Sequence, residues 1–403
     1  MPPTRRASLG AIFLTVFLDL LGFGLVLPFL AKEARSTFGV SEFEGTLLGS
    51  TYSLMQFLFV PVWGRLSDRV GRRPVLLWSI AATAISMAGL GTGLALGTSI
   101  LWLYAARIFG GIATANLGVA SAYIADITKP EERTKSMGLI GAAFGLGFIL
   151  GPAIGGALSR IAIHGHYGAV PCYVAACLSM LNLMWAAFGV AESLPKERRS
   201  LTEARSLSPL NFQAVRRASE LPGVSRAITV NFLVVLAFTN LDQTFTFFCT
   251  DAFSFTNLQT GGLLAAVGVV AALVQGGLIR PLSKRVSDAA FLQTGTFMQA
   301  VAFALIVAST RFGLTTLFLA MGLLAIGNGF TQPATSGFVS KHTPSDEQGK
   351  ILSVNQSFAS LARTFGPACG GLLYTYRGMA WPYAAGALGM LVACVAAFRL
   401  PRK

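Results

Sequence analysis

Gly64-Arg65-Leu66-Ser67-Asp68-Arg69-Val70-Gly71-Arg72-Arg73-Pro74 decides how this chain is read. The segment holds four arginines and one aspartate, and a mainly apolar run flanks it on each side. About 20 apolar residues, rising 1.5 Å each, cross a hydrocarbon core of roughly 30 Å. The segment is therefore a tight turn between two membrane-crossing helices, and its cationic excess places it on the cytoplasmic side. Gly64 would let another helix approach closely at the end of the second span. Asp68, the only acid of the turn, is placed to cap a helix N-terminus or to clasp an arginine.

Composition agrees. Hydrophobic residues make up 53% of the 403 residues and charged residues only 12%, a balance that soluble globular chains rarely show. A net charge of +14 invites a nucleic-acid reading, but its distribution excludes one. In a twelve-span reading, 24 of the 31 Lys and Arg fall in cytoplasmic loops or tails, five outside, and Arg107 and Arg363 within spans. That is the positive-inside pattern and not a binding stripe. The five cysteines (Cys172, Cys177, Cys249, Cys369, Cys394) lie in or at the ends of apolar runs, without metal-ligand spacing, and read as buried thiols. The short basic lead before the first span does not resemble a cleaved signal peptide.

The spans fall near 8–31, 45–65, 75–97, 99–124, 137–160, 169–190, 226–249, 258–280, 289–310, 313–338, 349–375 and 380–399. An even count puts both termini in the cytoplasm, for a multi-pass protein of the plasma (inner) membrane. Ser208-Pro209, followed by Leu210, Ala214 and Leu221, predicts a short helix on the membrane surface within the linker. The linker divides a repeat. Gly-Pro-Ala-Ile-Gly-Gly at 151–156 returns as Gly-Pro-Ala-Cys-Gly-Gly at 366–371, and Ser121-Ala122-Tyr123-Ile124 as Ser336-Gly337-Phe338-Val339, both at an offset of 215. Leu66-Ser67-Asp68-Arg69-Val70 returns at 216 as Leu282-Ser283-Lys284-Arg285-Val286, with a lysine in place of the acid. Residues 1–191 and 226–403 thus form two pseudo-symmetric six-helix halves, joined by a cytoplasmic linker at 192–225, with a site expected between them.

The Gly-x-Leu-Ser-Asp-Arg-x-Gly-Arg-Arg order resembles the loop between spans two and three of the major facilitator superfamily. Arg107 with Gly110, Gly111 and Asn116 looks like the family's pattern in span four. Gly141, Gly145, Gly147, Gly151-Pro152 and Gly155-Gly156 look like the glycine-proline pattern of span five in its proton-coupled antiporters. Asp19, Gly22, Gly24 and Pro28 of span one resemble the tetracycline-efflux and related drug:proton antiporters. The resemblance covers essentially the whole chain and implies an all-α integral membrane fold of twelve transmembrane helices. It also implies a cytoplasmic gate built on Gly64, Asp68, Arg69, Gly71, Arg72 and Arg73. For the glycine-proline helix, ordinary small-residue packing stands beside a role in rocking and sealing. There is one departure: the efflux proteins also carry acids in spans three and nine, whereas 75–97 and 289–310 have none, and Asp288 lies just before the latter. This bears on whether tetracycline itself is a substrate.

Charges left inside a bilayer are expensive, so they are paired or functional. Counting 1.5 Å per residue, Asp19 lies about 18 Å from the inner end of span one and Arg107 about 12 Å from the outer end of span four. The two meet if both spans face one cavity, as in the resembled fold. Asp242 of span seven and Arg363 of span eleven lie at about 24 and 20 Å from the inner side, and an arginine covers the difference. Pairing of these two is favoured, because leaving both uncompensated costs more than bringing the helices together. Asp19, Arg107, Asp242 and Arg363 are the candidates for proton coupling, with a helix-clamping ion pair as the alternative. Phe23, Tyr52, Gln56, Asn116, Phe148, Asn240, Phe245, Gln275, Asn328, Gln332 and Gln356 are mid-depth candidates for a substrate cavity, each with helix packing as the alternative.

No other chemistry competes. The chain has no phosphate-binding Gly-x-x-x-x-Gly-Lys-Ser/Thr loop. His164, His166 and His342 fall in loops and make no metal site. No nucleophile-base pair sits at depth, so no enzyme, cofactor or metal is expected. A proton-coupled exporter of amphipathic small molecules is the first reading, acting as a monomer whose partners are substrate, protons and lipid. A specific metabolite or lipid carrier is the second, and a transporter-like receptor or scaffold without flux the third. With the cavity open outward, Asp68 is expected to clasp the N-terminus of span eleven near Gln348 to Lys350, a latch that Lys284 cannot reproduce in the second half. Asp68→Ala should shift the population inward-open and cut turnover more than substrate binding. Unchanged spin-label distances across the cytoplasmic face would rule the latch out.

Overall fold

The computed structural model describes residues 8–114, 116–128, 133–195, 199, 212–283, 285–344 and 347–401. Its long elements are all helical: α1 (Leu9–Phe38), α2 (Glu42–Val70), α3 (Arg72–Leu96), α4 (Ile100–Ala113), α5 (Asn116–Ile127), α6 (Arg133–Leu158), α7 (Ala169–Gly189), α8 (Phe212–Glu220) and α9 (Val224–Phe253). They continue as α10 (Asn257–Leu273), a π turn (Val274–Leu278), α11 (Ile279–Leu282), α12 (Asp288–Phe312), α13 (Leu314–Lys341), α14 (Gln348–Arg377) and α15 (Trp381–Phe398). With α4–α5 and α10–α11 each counted once and the short linker helix α8 left out, twelve helical spans result. Ten are long and apolar enough to cross a membrane by composition, and α2 and α14 match them in length.

Local chemistry sets the ends. Ser41 and Glu44 cap each other reciprocally: Glu44 Oε2 accepts from the Ser41 amide at 2.8 Å, and Ser41 Oγ from the Glu44 amide at 3.2 Å. The Ser41 amide and hydroxyl, both donating to Glu44 Oε2, hold the Glu44 carboxyl below its ordinary value. Thr256 and Gln259 repeat the device at α10. α1 runs to Phe38, where Gly39 takes the left-handed conformation (φ 66°) that a C-terminal stop requires. The helix is therefore about two turns longer than the span drawn from hydropathy, because its last residues are polar.

The chain divides into two compact units, Met1–Gly39 with Thr51–Pro209, and Val40–Ser50 with Leu210–Lys403. In the first, α1 packs on α6 and α7, and α3 on α4 and α7. Ile12, Val16, Leu76, Ile80, Val119 and Tyr123 form its core. In the second, α9 packs on α14 and α15, and α12 on α13 and α15. Here the linker helix α8 buries Ala214 and Ala218 and grips the start of α14, Arg217 Nε donating to both oxygens of Glu347 at 3.0 and 2.9 Å. Leu221 lies past its end, and Ser208, Pro209 and Leu210 lie outside the described residues.

The glycines of α6 fall into two groups. A Cβ on Gly151 would stand 2.7 Å from the Gly24 backbone, one on Gly155 2.1 Å from the Leu25 carbonyl oxygen, and one on Gly147 3.0 Å from Leu20 Cβ. These three, one turn apart, bring α6 onto α1 backbone to backbone. Gly141 and Gly145 have nothing within 4 Å. Gly151→Ala should therefore cost about 1–3 kcal/mol as overpacking, and Gly145→Ala should be neutral or slightly stabilising. Thermal unfolding of the two variants in detergent tests the contrast, and equal melting temperatures would refute it.

Candidate functional site

Asp19 projects from the middle of α1 into a small cavity that it lines with Phe23, Tyr52, Thr83, Ser86, Met87, Gly110 and Thr114, with room for about one water. Beside it Arg107 of α4 is only 1% exposed. Its guanidinium lies over the Tyr52 ring at 4.4 Å and the Phe23 ring at 5.8 Å, and the two rings are 5.4 Å apart. Asp19 lines this cavity together with Phe23 and Tyr52, and Arg107, which is not one of its lining residues, stacks on the same two rings. Aromatic faces attract a guanidinium strongly once water is excluded, which offsets part of the cost of placing the cation there.

The cavity has room because α4 stops short. After Ala113 the backbone of Thr114 is extended (φ −78°, ψ 98°), and the span resumes only at α5. A break in a span frees carbonyls that lipid cannot satisfy. Side chains of neighbouring helices take them: Trp63 Nε1 donates to Ile112 O, and Ser79 Oγ to Ala113 O at 2.7 Å. Thr114 Oγ1 donates to Gly110 O at 2.6 Å and accepts from the Tyr52 hydroxyl at 2.9 Å. Gly110 and Gly111 are required here, since a Cβ would stand 2.4 Å from Ser86 Oγ and 2.5 Å from the Tyr52 carbonyl oxygen respectively. Nothing in the hydropathy of 99–124 signals this break. Thr114, Trp63, Ser79 and Ser86 carry no sequence signal of their own for that reason.

The arginine-rich turn forms a second cluster in the same unit. Gly71 turns the chain with φ 109°, and Glu192 sits where its Cβ would be. The Glu192 carboxylate accepts from the amides of Arg72 (2.8 Å) and Arg73 (3.3 Å), an anion on the N-terminus of α3. The Arg72 side chain, 7% exposed, pairs with Asp68 at 2.5 Å and Asp126 at 3.1 Å and donates to Ser67 Oγ at 2.7 Å. Arg73 Nη2 donates to Ala187 O at 2.7 Å. Arg69 is exposed. Among the described residues a Cβ at Gly64 would meet nothing within 4 Å, so no close helix approach is seen there, and Gly64 contributes its carbonyl to Ser67 Oγ instead. Lys284 lies outside the described residues. Asp126 and Glu192 are recruited from remote sequence, and only folding reveals them.

The remaining candidates are dispersed. In the second unit Asp242 is buried and accepts from Gln243 Nε2 at 3.0 Å, while Arg363 Nη2 donates to Ser360 Oγ at 2.9 Å. Among the described residues no ion pair joins Asp242 and Arg363. The favoured pairing is not made because each group finds a partner on its own helix, one residue and three residues away. Asn240 Nδ2 donates to Pro382 O at 2.8 Å and ties α9 to α15, and Phe245 is enclosed and stacks on Phe248. Gln275 is exposed in the π turn, Gln332 and Gln356 are exposed, and Gln56 and Asn328 are half-buried. Phe148 stacks on Phe144. Pro152 and Gly156 are buried on α6. The side chain of Asn116 lies outside the described residues.

Ten helices long and apolar enough to cross a membrane, with an arginine buried at mid-helix, are features of a membrane transporter. The sequence profile of the Major Facilitator Superfamily matches residues 12–288 and 276–403, and the chain belongs to that family. It is similar to "Tetracycline resistance protein, class C" of Escherichia coli, 35% identical over 401 residues, covering 97% of this chain and 96% of the relative. It is also similar to "Major facilitator superfamily domain-containing protein 10" of Mus musculus, 29% identical, covering 99% and 92%. The crystal structure of the human organic anion transporter MFSD10 (TETRAN) superposes with a TM-score of 0.70 at 26% identity, covering 98% of this chain and all (100%) of that one. The protein is thus a multi-pass membrane transporter of small molecules and not an enzyme.

The stacking geometry makes a sharp demand on Arg107. Arg107→Lys keeps the charge but loses the planar stack, worth about 0.5–2 kcal/mol. Transport should fall by up to about tenfold per 1.4 kcal/mol, with the protein still folded. Full activity of the lysine variant in a vesicle flux assay would show that charge alone suffices.

Proposed function

We propose that this protein is a proton-coupled exporter of amphipathic small molecules, of multidrug-efflux type, working by alternating access in the plasma (inner) membrane as a monomer with both termini cytoplasmic. The observation that carries the reading is the placement of Asp19 and Arg107 around the shared Phe23–Tyr52 pair. A carboxyl group in low dielectric holds its proton until a cation approaches, and then releases it. Any rearrangement of α1 against α4 changes that distance and converts proton binding into conformational bias. A cationic substrate at Asp19 competes with the proton for one carboxylate, which yields exchange. The similarity to tetracycline resistance proteins supports export. The Asp68–Arg72–Asp126 cluster serves in this reading as the cytoplasmic gate, and the α1–α6 glycine seam as its sliding surface.

A specific observation favours a second reading. Arg363 is engaged by a serine hydroxyl and not by Asp242, and a guanidinium in that state binds carboxylates and phosphates bidentately. A carrier of organic anions therefore stands beside the cation exporter, in keeping with the similarity to the human organic anion transporter. Proteoliposomes with an imposed pH gradient separate the two, using tetraphenylphosphonium and carboxyfluorescein as probes. Asp19→Asn should abolish pH-driven flux while leaving the protein folded, and undiminished active flux would end the proton-coupling reading. Arg363→Lys should leave the cation flux intact; selective loss of the anion flux establishes the second reading.

A further inference from the structure

A second buried acid in the first unit has no place in the mechanism above. Glu33 lies fourteen residues beyond Asp19 on α1, about 21 Å along the axis, and is 4% exposed. It lines a separate cavity with Leu25, Val26, Phe29, Leu30 and Cys172, again with room for about one water. A Cβ on Gly168 would stand 2.6 Å from Glu33 Cγ, and Gly168 itself has φ 86°, so the loop closes directly over the acid.

The register of α1 links the two cavities. Asp19 and Phe23 line one, Val26, Leu30 and Glu33 the other. The spacing of four, three, four and three residues puts all five on a single stripe of the helix. Cys172 lies within electrostatic reach of both Glu33 and Arg107, so the second cavity borders the Arg107 site as well. Charged and titratable groups near Glu33 among the described residues include Lys32 and Arg35 on its own helix and Cys172 on α7, with Arg107 beyond the thiol. From α3, Leu94 lines this cavity. Ser36 Oγ is 3.5 Å from Glu33 Oε2.

We propose that Glu33 is a proton-binding site at the outer end of this stripe, and that it passes protons to Asp19 when the apolar collar of Val26, Phe29 and Leu30 becomes hydrated. This rests on the reading above, in which the start of α1 is cytoplasmic and Asp19 carries protons. The step is a plain transfer: an O–H bond forms at the Glu33 carboxylate as a hydronium ion from the acid side gives up its proton and becomes water, and that bond breaks as a collar water accepts the proton and hands it to the Asp19 carboxylate. Nothing is oxidised or reduced. In the described conformation the collar separates the two acids with apolar side chains, so the proton waits at Glu33 and does not leak.

Proton entry into pyranine-loaded proteoliposomes, measured with no added substrate, tests the path. Val26→Thr keeps the side-chain shape and adds a hydroxyl to the collar, and it should raise the leak from an acid exterior several-fold over wild type. Adding Glu33→Gln should return the leak to the wild-type level, as should adding Asp19→Asn. No extra leak in Val26→Thr, or a leak that persists with Glu33→Gln, overturns the inference. A leak abolished by Asp19→Asn and untouched by Glu33→Gln removes Glu33 alone and leaves the coupling role of Asp19 standing. The reverse result retains Glu33 as a proton site and withdraws Asp19. Should Glu33→Gln fail to fold, Glu33→Asp on the Val26→Thr background replaces it. A moved pH midpoint of the leak then supports proton carriage by this carboxylate, and an unmoved one refutes it.

Discussion

A guanidinium buried at mid-span has to be compensated where it stands, and much of the first unit follows from how Arg107 meets that demand. Water cannot reach it, and an isolated ion in such a medium costs several kcal/mol even after relaxation. Two aromatic faces take up part of the charge, which fixes where α1 must present Phe23 and where α2 must present Tyr52. Tyr52 can lie flat under the cation only if α4 gives way around it, and Gly110 and Gly111 supply that space. The stack, the glycine pair and the interrupted helix are one arrangement.

The interruption itself obeys the rule that backbone polar groups within a membrane must be satisfied by protein. The Gly110, Ile112 and Ala113 carbonyls at the end of α4 are met by a hydroxyl or an indole from α2, α3 or Thr114 itself. The same economy governs the arginine-rich turn, where Glu192 terminates α3 electrostatically and Arg72 gathers two carboxylates and a hydroxyl. The two clusters are alike in one respect: each holds an arginine between side chains from separate elements.

How much of this was legible in the sequence depended on whether the governing interaction was local. Hydropathy runs are a local property, and they located the spans, although several helices run past the predicted ends, α1 by about two turns. The Asp68-to-Arg73 turn was legible from its local pattern, and depth along the spans was enough to put Asp19 and Arg107 next to the same aromatic pair. Glu33 was missed because span one was ended at 31, where polar residues begin, while the helix runs on to the stop at Gly39. The α4 break was invisible because the side chains that make it tolerable come from other helices. The Asp242–Arg363 pairing failed because depth fixes height along a helix but not rotation, and rotation decides which groups meet. Among the α6 glycines, rotation likewise separated Gly147, Gly151 and Gly155 from Gly141 and Gly145.

The seam between α6 and α1 has a thermodynamic consequence of its own. When two helices meet through leucines, pulling them apart frees rotamers and closing them freezes the same rotamers again, at about 0.5–1 kcal/mol for each side chain. Where Gly24 faces Gly147 and Gly151 there are no rotamers to freeze. Opening and closing such a contact changes side-chain entropy very little, so its balance rests almost entirely on dispersion between backbones, an enthalpic quantity. A joint of this kind neither locks on cooling nor loosens sharply on warming through side-chain disorder. It is suited to a part that is undone and remade in every transport cycle.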